Sequence, residues 1–234
     1  MTHLNEFPIT RRFPPNNPEV IQLYSFTTPN GVKISIALEE MGLAYEAHLI
    51  DIMKDDQKTE EYLALNPNGK IPSIIDPNGP DDKPIGLFES GAILVYLADK
   101  TDQLMPNDAR SRYECLQWVF FQMGGIGPMF GQFGHFFKFM KDKVQDPYPT
   151  ERYTNETKRL LGVLESRLSN GPFIMGEEYT IADIATFPWV RTVRDFYDGG
   201  DVLGLDGFTN LTTWLETCLA RPASQKGLKI PPRT

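Results

Sequence analysis

Three short stretches in the first half of the chain carry groups that could bind and polarise a small ligand. The first is TTPNG, residues 27–31. Here the Thr28 hydroxyl can donate one hydrogen bond and the Asn30 amide two. The stretch holds no cysteine, histidine or carboxylate. An apolar run precedes it and a helical pattern follows. A helix start, with free N–H groups and a partial positive charge, stabilises an anion. The chemistry open to such a turn is therefore donation to a negative atom that the ligand brings. An ordinary turn explains the same residues: proline sets φ, Asn or Gly takes the left-handed conformation, and Thr or Asn caps the helix. Thr27 reads as structural.

The second stretch is GKIPSI, residues 69–74. Pro72 sits inside a strand-like run and removes a ladder donor. A cis Ile71–Pro72 bond accounts for it and turns the Ile71 backbone toward an extended ligand; an ordinary edge proline is the alternative. The third stretch is FESGAIL, residues 88–94, which places Glu89 and Ser90 before another helix start. A ligand carboxylate fits the Ser90 N–H and hydroxyl, and Glu89 can accept from an ammonium. Plain helix capping by Ser90 explains the same pattern.

Other reactive residue types are sparse. Cys115 and Cys218 lie in helical patterns and read as small buried hydrophobes. With no apolar leader at the start of the chain, both are expected reduced, in cytosol. No His, Cys or Asp cluster has metal-ligand spacing, so no metal is expected. His135 reads as structural or pocket-lining rather than as a base. A net charge of −8 argues against general affinity for nucleic acid or acidic membrane, and no apolar run is long enough to span a bilayer.

The elements that must position these groups follow from periodicity. VIQLYSF (20–26) reads as a buried strand. Ile34, Leu38 and Met41 give the next segment a helix face, with Gly42 as its stop. AYEAHLIDI (44–52) completes a βαβ unit with parallel strands. A short helix spans 56–67, strands at 70–76 and 85–90 suggest an antiparallel hairpin, and 90–101 is amphipathic helix. The order is βαβ, a short helix, then ββα. From about 106 onward only helical patterns appear: an aromatic-rich 109–140 interrupted by Gly-Pro, then 150–170, 179–193 and 211–221. Thr180 and Asp183 form a capping-box variant. The chain divides into an arm (1–18), an α/β domain (19–102) and an all-helical domain (103–234). The proline-rich arm reads as disordered, with packing across a partner subunit as the alternative.

TTPNG, then LNPNGKIPSI, then FESGAILVYLA resemble the thioredoxin-like domain of glutathione transferases, and YTIADIATFPW resembles the start of the buried helix in their helical domain. TPNGVKI with LQWVFFQMGGIGPMFGQFGHF looks most like the Nu class and its Ure2-like relatives. The resemblance covers about 20–225. It implies a homodimer that binds glutathione, reduced or oxidised, in the N-terminal domain. It also implies roles. Thr28 and Asn30 approach the glutathione sulfur as the catalytic donors, Gln57 makes a polar contact, and Asn68 and Lys70 meet the glycyl end. The Ile71 backbone pairs with the cysteinyl part, Glu89 and Ser90 grip the γ-glutamyl end, and Arg152 approaches the thiol or a second glutathione. One departure matters: many members of the superfamily use a tyrosine, serine or cysteine near the end of the first strand. Tyr24 lies inside the strand here and reads as core, Ser25 has no stronger claim, and no Cys-x-x-Cys replaces TPNG.

Hydroxyl and amide donors stabilise a thiolate without acting as its base. The implied activity is reduction of a small disulfide by glutathione's own sulfur, with weak conjugating or peroxidase activity toward an electrophile. A glutathione-binding regulatory protein on the same scaffold is the alternative. Phe130, Phe133, His135, Phe136 and Phe137 are candidate walls for the second substrate's pocket, with helical core as the competing role.

Overall fold

The computed structural model describes residues 3–232. The chain forms two compact units: one holds the residues up to Thr101 together with those from Pro222 on, and the other is Asp102–Arg221. The first unit is built on a four-stranded sheet of order β2-β1-β3-β4. Its strands are β1 (Ile21–Ser25), β2 (Tyr45–Leu49), β3 (Ser73–Asp76) and β4 (Ile85–Phe88). β1 and β2 are parallel, whereas β3 runs antiparallel to both β1 and β4. With its helices this is a thioredoxin-like domain, the α/β half of the expected α/β plus all-α organisation.

β1 is buried at every position, so both faces of the sheet must be covered. One face, with Leu23 and Ile74, is left to α2 (Pro29–Glu40) and α4 (Ser90–Thr101). The other face carries Tyr24 and Ile75 and packs with Tyr62 and Leu65, which lie on and just beyond α3 (Glu60–Leu63). The N-terminal arm completes that cluster. Leu4 and Ile9 are buried in it and Phe7 and Phe13 pack against it, with Ile9 on α1 (Ile9–Arg12). The arm is therefore not loose: its apolar residues close the core of its own domain. Of the expected 1–18 arm, Met1 and Thr2 lie outside the described residues.

The second unit is helical. It contains α5 (Ala109–Phe121), α6 (Gly127–Gly134), α7 (Tyr148–Leu168), α8 (Ile181–Arg191), α9 (Gly200–Leu203) and α10 (Thr209–Ala220). The Gly127-Pro128 pair does not break the aromatic-rich segment. Ile126 and Gly127 keep helical backbone angles, so Pro128 sits in a continuous helical run just after a π turn at Gln122–Ile126. Thr180 caps α8 in a full capping box with Asp183. Asp183 is completely buried and accepts from the Ile174 N–H (2.9 Å), the Thr180 N–H (2.9 Å) and the Trp214 indole N–H (2.8 Å).

The last segment does not stay with the helical domain expected over 103–234. α11 (Pro222–Gly227) packs on α2 in the first unit. The Ser35 hydroxyl donates to the Gly227 carbonyl at 2.7 Å, and a Cβ on Gly227 would lie 2.7 Å from the Ile36 nitrogen. Only a residue without a side chain allows that approach. Arg233 and Thr234 lie outside the described residues.

Candidate functional site

The strand register brings the three chemistry-bearing stretches to one end of the sheet. Tyr24 pairs with Ser73, and Ser73 pairs with Phe88. The end of β1, the start of β3 and the end of β4 therefore coincide. Thr28 follows the first, Ile71 precedes the second, and Glu89 and Ser90 follow the third. This is the carboxyl end of the parallel pair, where open α/β sheets bind ligands.

TTPNG is not a turn followed by a helix, because Pro29, Asn30 and Gly31 already form the first turn of α2. Thr28 is the N-cap. Its side-chain oxygen accepts from the Gly31 N–H at 3.4 Å, which uses a lone pair and leaves its hydrogen able to donate. Asn30 is helical, so its side chain is carried on a rigid element. Gly31 lets this turn close onto the strand, since a Cβ there would sit 1.9 Å from the Phe26 carbonyl oxygen.

Lys33, one turn further along α2, is completely buried. Its ammonium donates to the Asn30 Oδ1 at 2.8 Å and to the Ser90 Oγ at 3.4 Å. Burial lowers its pKa from 10.5 to about 7, against the opposing pull of the Glu89 carboxylate. The sequence reading passed over this residue. A signal was present: Lys33 lies one turn before Ile36 and Ala37, on a helix stripe that is wholly buried.

At the start of α4, Glu89 occupies the cap position, not Ser90: its carbonyl accepts from the Ile93 N–H at 2.9 Å, and Ser90 is the first helical residue. Glu89 has φ 71°, a left-handed conformation rare for a non-glycine residue. Its side chain is exposed while Ser90 is buried. Such conformations cost about 1–3 kcal/mol and gather at ligand-binding turns.

The peptide bond Ile71–Pro72 is cis, and Ile71 lies just outside the ladder that begins at Ser73. The Asn68–Lys70 loop before it is held by its backbone. The Lys70 carbonyl accepts from the Tyr62 hydroxyl (2.7 Å) and the Asn66 amide (2.6 Å), so the exposed Asn68 and Lys70 side chains take no part in holding the loop's shape. Gln57 comes close to this loop: a Cβ on Gly69 would lie 3.3 Å from the Gln57 carbonyl oxygen. The Gln57 Oε1 is buried with no hydrogen-bond partner among the described residues. An unsatisfied buried acceptor costs about 1–3 kcal/mol.

Thr28, Asn30, Gln57, Asn68, Lys70, Ile71, Glu89 and Ser90 thus all belong to the first unit. Arg152 does not: it is an exposed residue on α7 of the helical unit. Phe130 and Phe133 are fully buried in that unit, which removes them as walls of an accessible pocket. His135 is exposed, and Phe136 stacks on Tyr153 at 5.5 Å.

The competing nucleophiles are disarmed. The Tyr24 ring is fully buried and stacked on His48 at 4.7 Å, and burial pushes its phenol well above the ordinary range. Ser25 is buried as well. Cys115 and Cys218 form no disulfide and have no exposure, and burial raises the pKa of Cys115. An open groove of about 690 Å³ at the β2 edge is lined in part by Asn16, Glu39, Glu46 and Lys226. Its carboxylates are already engaged, Glu46 by the Asn16 and Asn17 N–H groups and Glu39 by Tyr45 and Lys226. Among the described residues no group of His, Cys, Asp or Glu is arranged to hold a metal ion, and no helix is long and apolar enough to cross a membrane.

A thioredoxin-like sheet with a donor-bearing helix start, joined in sequence to a helical domain, defines a glutathione transferase fold, and the comparisons agree. Residues 27–100 match the glutathione S-transferase N-terminal domain and residues 116–222 the glutathione S-transferase C-terminal domain. The chain belongs to the glutathione S-transferase family. Within it, the chain falls in the Nu/Ure2-like group. A glutathione transferase of Burkholderia graminis, solved with two glutathione molecules per subunit, is 58% identical, with a TM-score of 0.98 over 100% of this chain and 98% of that one. A glutathione transferase of Pseudomonas putida, solved with one glutathione disulfide per subunit, is 55% identical, with a TM-score of 0.95 over 97% of this chain and 99% of that one. Disulfide-bond oxidoreductase YfcG of Escherichia coli is 44% identical over 211 residues, 89% of this chain and 94% of the relative.

Proposed function

We propose that the protein binds glutathione at the first-unit site, stabilises its thiolate, and reduces small disulfides with glutathione's own sulfur. The observation that carries this reading is the start of α2. It presents the Thr28 hydroxyl and the Asn30 amide, while both protein thiols are buried in the other unit. The ligand fits the chemistry of the groups around it. Glu89 suits the γ-glutamyl ammonium, the start of α4 at Ser90 suits its carboxylate, and the Ile71 backbone suits the cysteinyl peptide. Gln57, beside the Asn68–Lys70 loop, is assigned a polar contact, and Asn68 and Lys70 suit the glycyl end. The structures of relatives holding glutathione or its disulfide support the choice of ligand, and the kinship with YfcG supports the reaction.

A free thiol has a pKa near about 8.5, and only its thiolate attacks a disulfide well. Donors and a helix start that favour the anion by about 1.4–2.7 kcal/mol make the bound thiol largely ionised near neutral pH. Bound thiolate attacks the disulfide, forms a glutathione mixed disulfide and expels one thiolate. A second glutathione thiolate then attacks the mixed disulfide, releasing the other thiolate and glutathione disulfide. The same thiolate supports weaker attack on an electrophilic carbon or a peroxide. The working form is a homodimer in the cytosol, where glutathione is kept reduced.

The test is turnover of a small model disulfide by the purified protein, glutathione and a coupled glutathione reductase. Thr28→Ala and Asn30→Ala each lower the rate about tenfold or more, since each donor is worth about 1–3 kcal/mol in the reactive state. Absence of turnover despite glutathione binding would replace this reading with that of a glutathione-binding regulatory protein.

A further inference from the structure

The buried lysine on α2 has no role in the reading above, yet it touches both ends of the proposed ligand site. The Lys33 Nζ donates to the Asn30 Oδ1 at 2.8 Å, which puts the carbonyl oxygen on the lysine side of the amide. That settles which way the amide faces. We propose that Lys33 is a positioning residue: by holding the Asn30 carbonyl oxygen, it turns the Nδ2 N–H donors toward the sulfur of the bound thiol. This rests on the proposed glutathione reading.

Asn30 is within the first turn of the helix, where an amide side chain can rotate so that either its oxygen or its nitrogen faces outward. An outward oxygen would place a lone pair against a thiolate and repel it. Lys33 lies three residues further along the same helix, and its side chain runs back toward the helix start. The same Nζ lies 3.4 Å from the Ser90 Oγ, so one buried group braces the thiol-side donor of α2 against the γ-glutamyl-side start of α4. The charged group facing it is Glu89, in the turn before α4. Burying an ammonium is costly and is not needed to hold two helices together. A leucine or methionine would fill the same space; what it would lose is the donor.

The experiment measures the pKa of glutathione's thiol when bound, from thiolate ultraviolet absorbance, in wild type, Lys33→Met, Asn30→Ala and the double variant. The same proteins are assayed for kcat and for KM toward glutathione. Lys33→Met is expected to raise the bound thiol pKa and lower kcat about tenfold while changing KM much less. In the Asn30→Ala background the lysine substitution is expected to change neither, because its effect passes through the amide. Lys33→Gln, which keeps a donor, should recover part of the loss. Asn30→Asp serves where the lysine variants fold poorly. It keeps the acceptor for Lys33 and removes the N–H donors, so a stable protein that no longer acidifies the thiol is expected. Unchanged thiol acidity in Lys33→Met, losses that simply multiply in the double variant, or full acidification in Asn30→Asp would overturn the proposal while leaving glutathione chemistry intact. A wild type that fails to bind glutathione, or binds it without acidifying the thiol, overturns both.

Discussion

Lys33 makes the stability of this protein rise with pH above neutrality, the same sign as ordinary acid denaturation but in a higher pH window. In the folded state its pKa is lowered from 10.5 to about 7 by complete burial. The folded protein therefore gives up this proton near pH 7 and the unfolded chain only near 10.5. Between those values the unfolded chain binds more protons, so stability rises with pH. Below pH 7 the whole penalty stands, at about 5 kcal/mol as an upper figure. Lys33→Met removes the penalty but also the donor to Asn30 and Ser90, a loss of about 1–3 kcal/mol. At about pH 6 the variant should be more stable than wild type by about 2–4 kcal/mol. By about pH 9.5 most of the penalty has gone from the wild type, and the variant should be level with it or weaker. Urea unfolding followed by circular dichroism, at equal protein concentration at both pH values, reads this change of sign. Glu89→Gln removes the facing carboxylate and should shift the rise in stability to lower pH. A difference between variant and wild type that is the same at both pH values would refute the reasoning, because Lys33 would then not change charge in this window.

Elsewhere the structure makes sharper demands than its surface suggests. Asp183→Ala leaves the Ile174, Thr180 and Trp214 donors buried and unpaired, and should cost about 3 kcal/mol or more by denaturant unfolding; a loss below about 1 kcal/mol would mean that these bonds are not what holds α8. Ile9→Ala should cost about 2–5 kcal/mol, as for any fully buried isoleucine, and a neutral result would show that the arm is not part of the core in solution. Tyr24→Phe should leave disulfide turnover unchanged and stability unchanged or raised, since the hydroxyl is buried without a partner among the described residues. A large fall in kcat would instead restore Tyr24 as a catalytic group.

The sequence showed most of what backbone pattern and turn chemistry control. The βαβ and ββα order was readable because apolar alternation and helix spacing differ in period. Pro72 inside a strand-like run pointed to the cis bond at Ile71, and Thr180 with Asp183 pointed to the cap of α8. The α2 start was displaced because Pro-Asn-Gly usually marks a turn, whereas Pro29 here takes the first helical position, where proline is at home. The exchange of roles between Glu89 and Ser90 turned on a left-handed glutamate, which no propensity favours. The arm looked loose because its apolar residues Leu4, Phe7, Ile9 and Phe13 follow no long period; only the sheet face they cover makes sense of them. Lys33 was missed for a related reason. A lysine in a helix is ordinarily a solvated residue, and that expectation outweighed its place one turn before the apolar Ile36 and Ala37.

The central claim is that the reacting sulfur belongs to the ligand and that the protein contributes hydrogen bonds. The most direct measurement is disulfide turnover by the protein with Cys115→Ala and Cys218→Ala combined, which removes both of its cysteines. Turnover within about twofold of wild type (under about 0.5 kcal/mol in barrier), carried by glutathione, is expected. Loss of turnover in a folded variant that still binds glutathione would contradict it, because a protein thiol would then be part of the reaction.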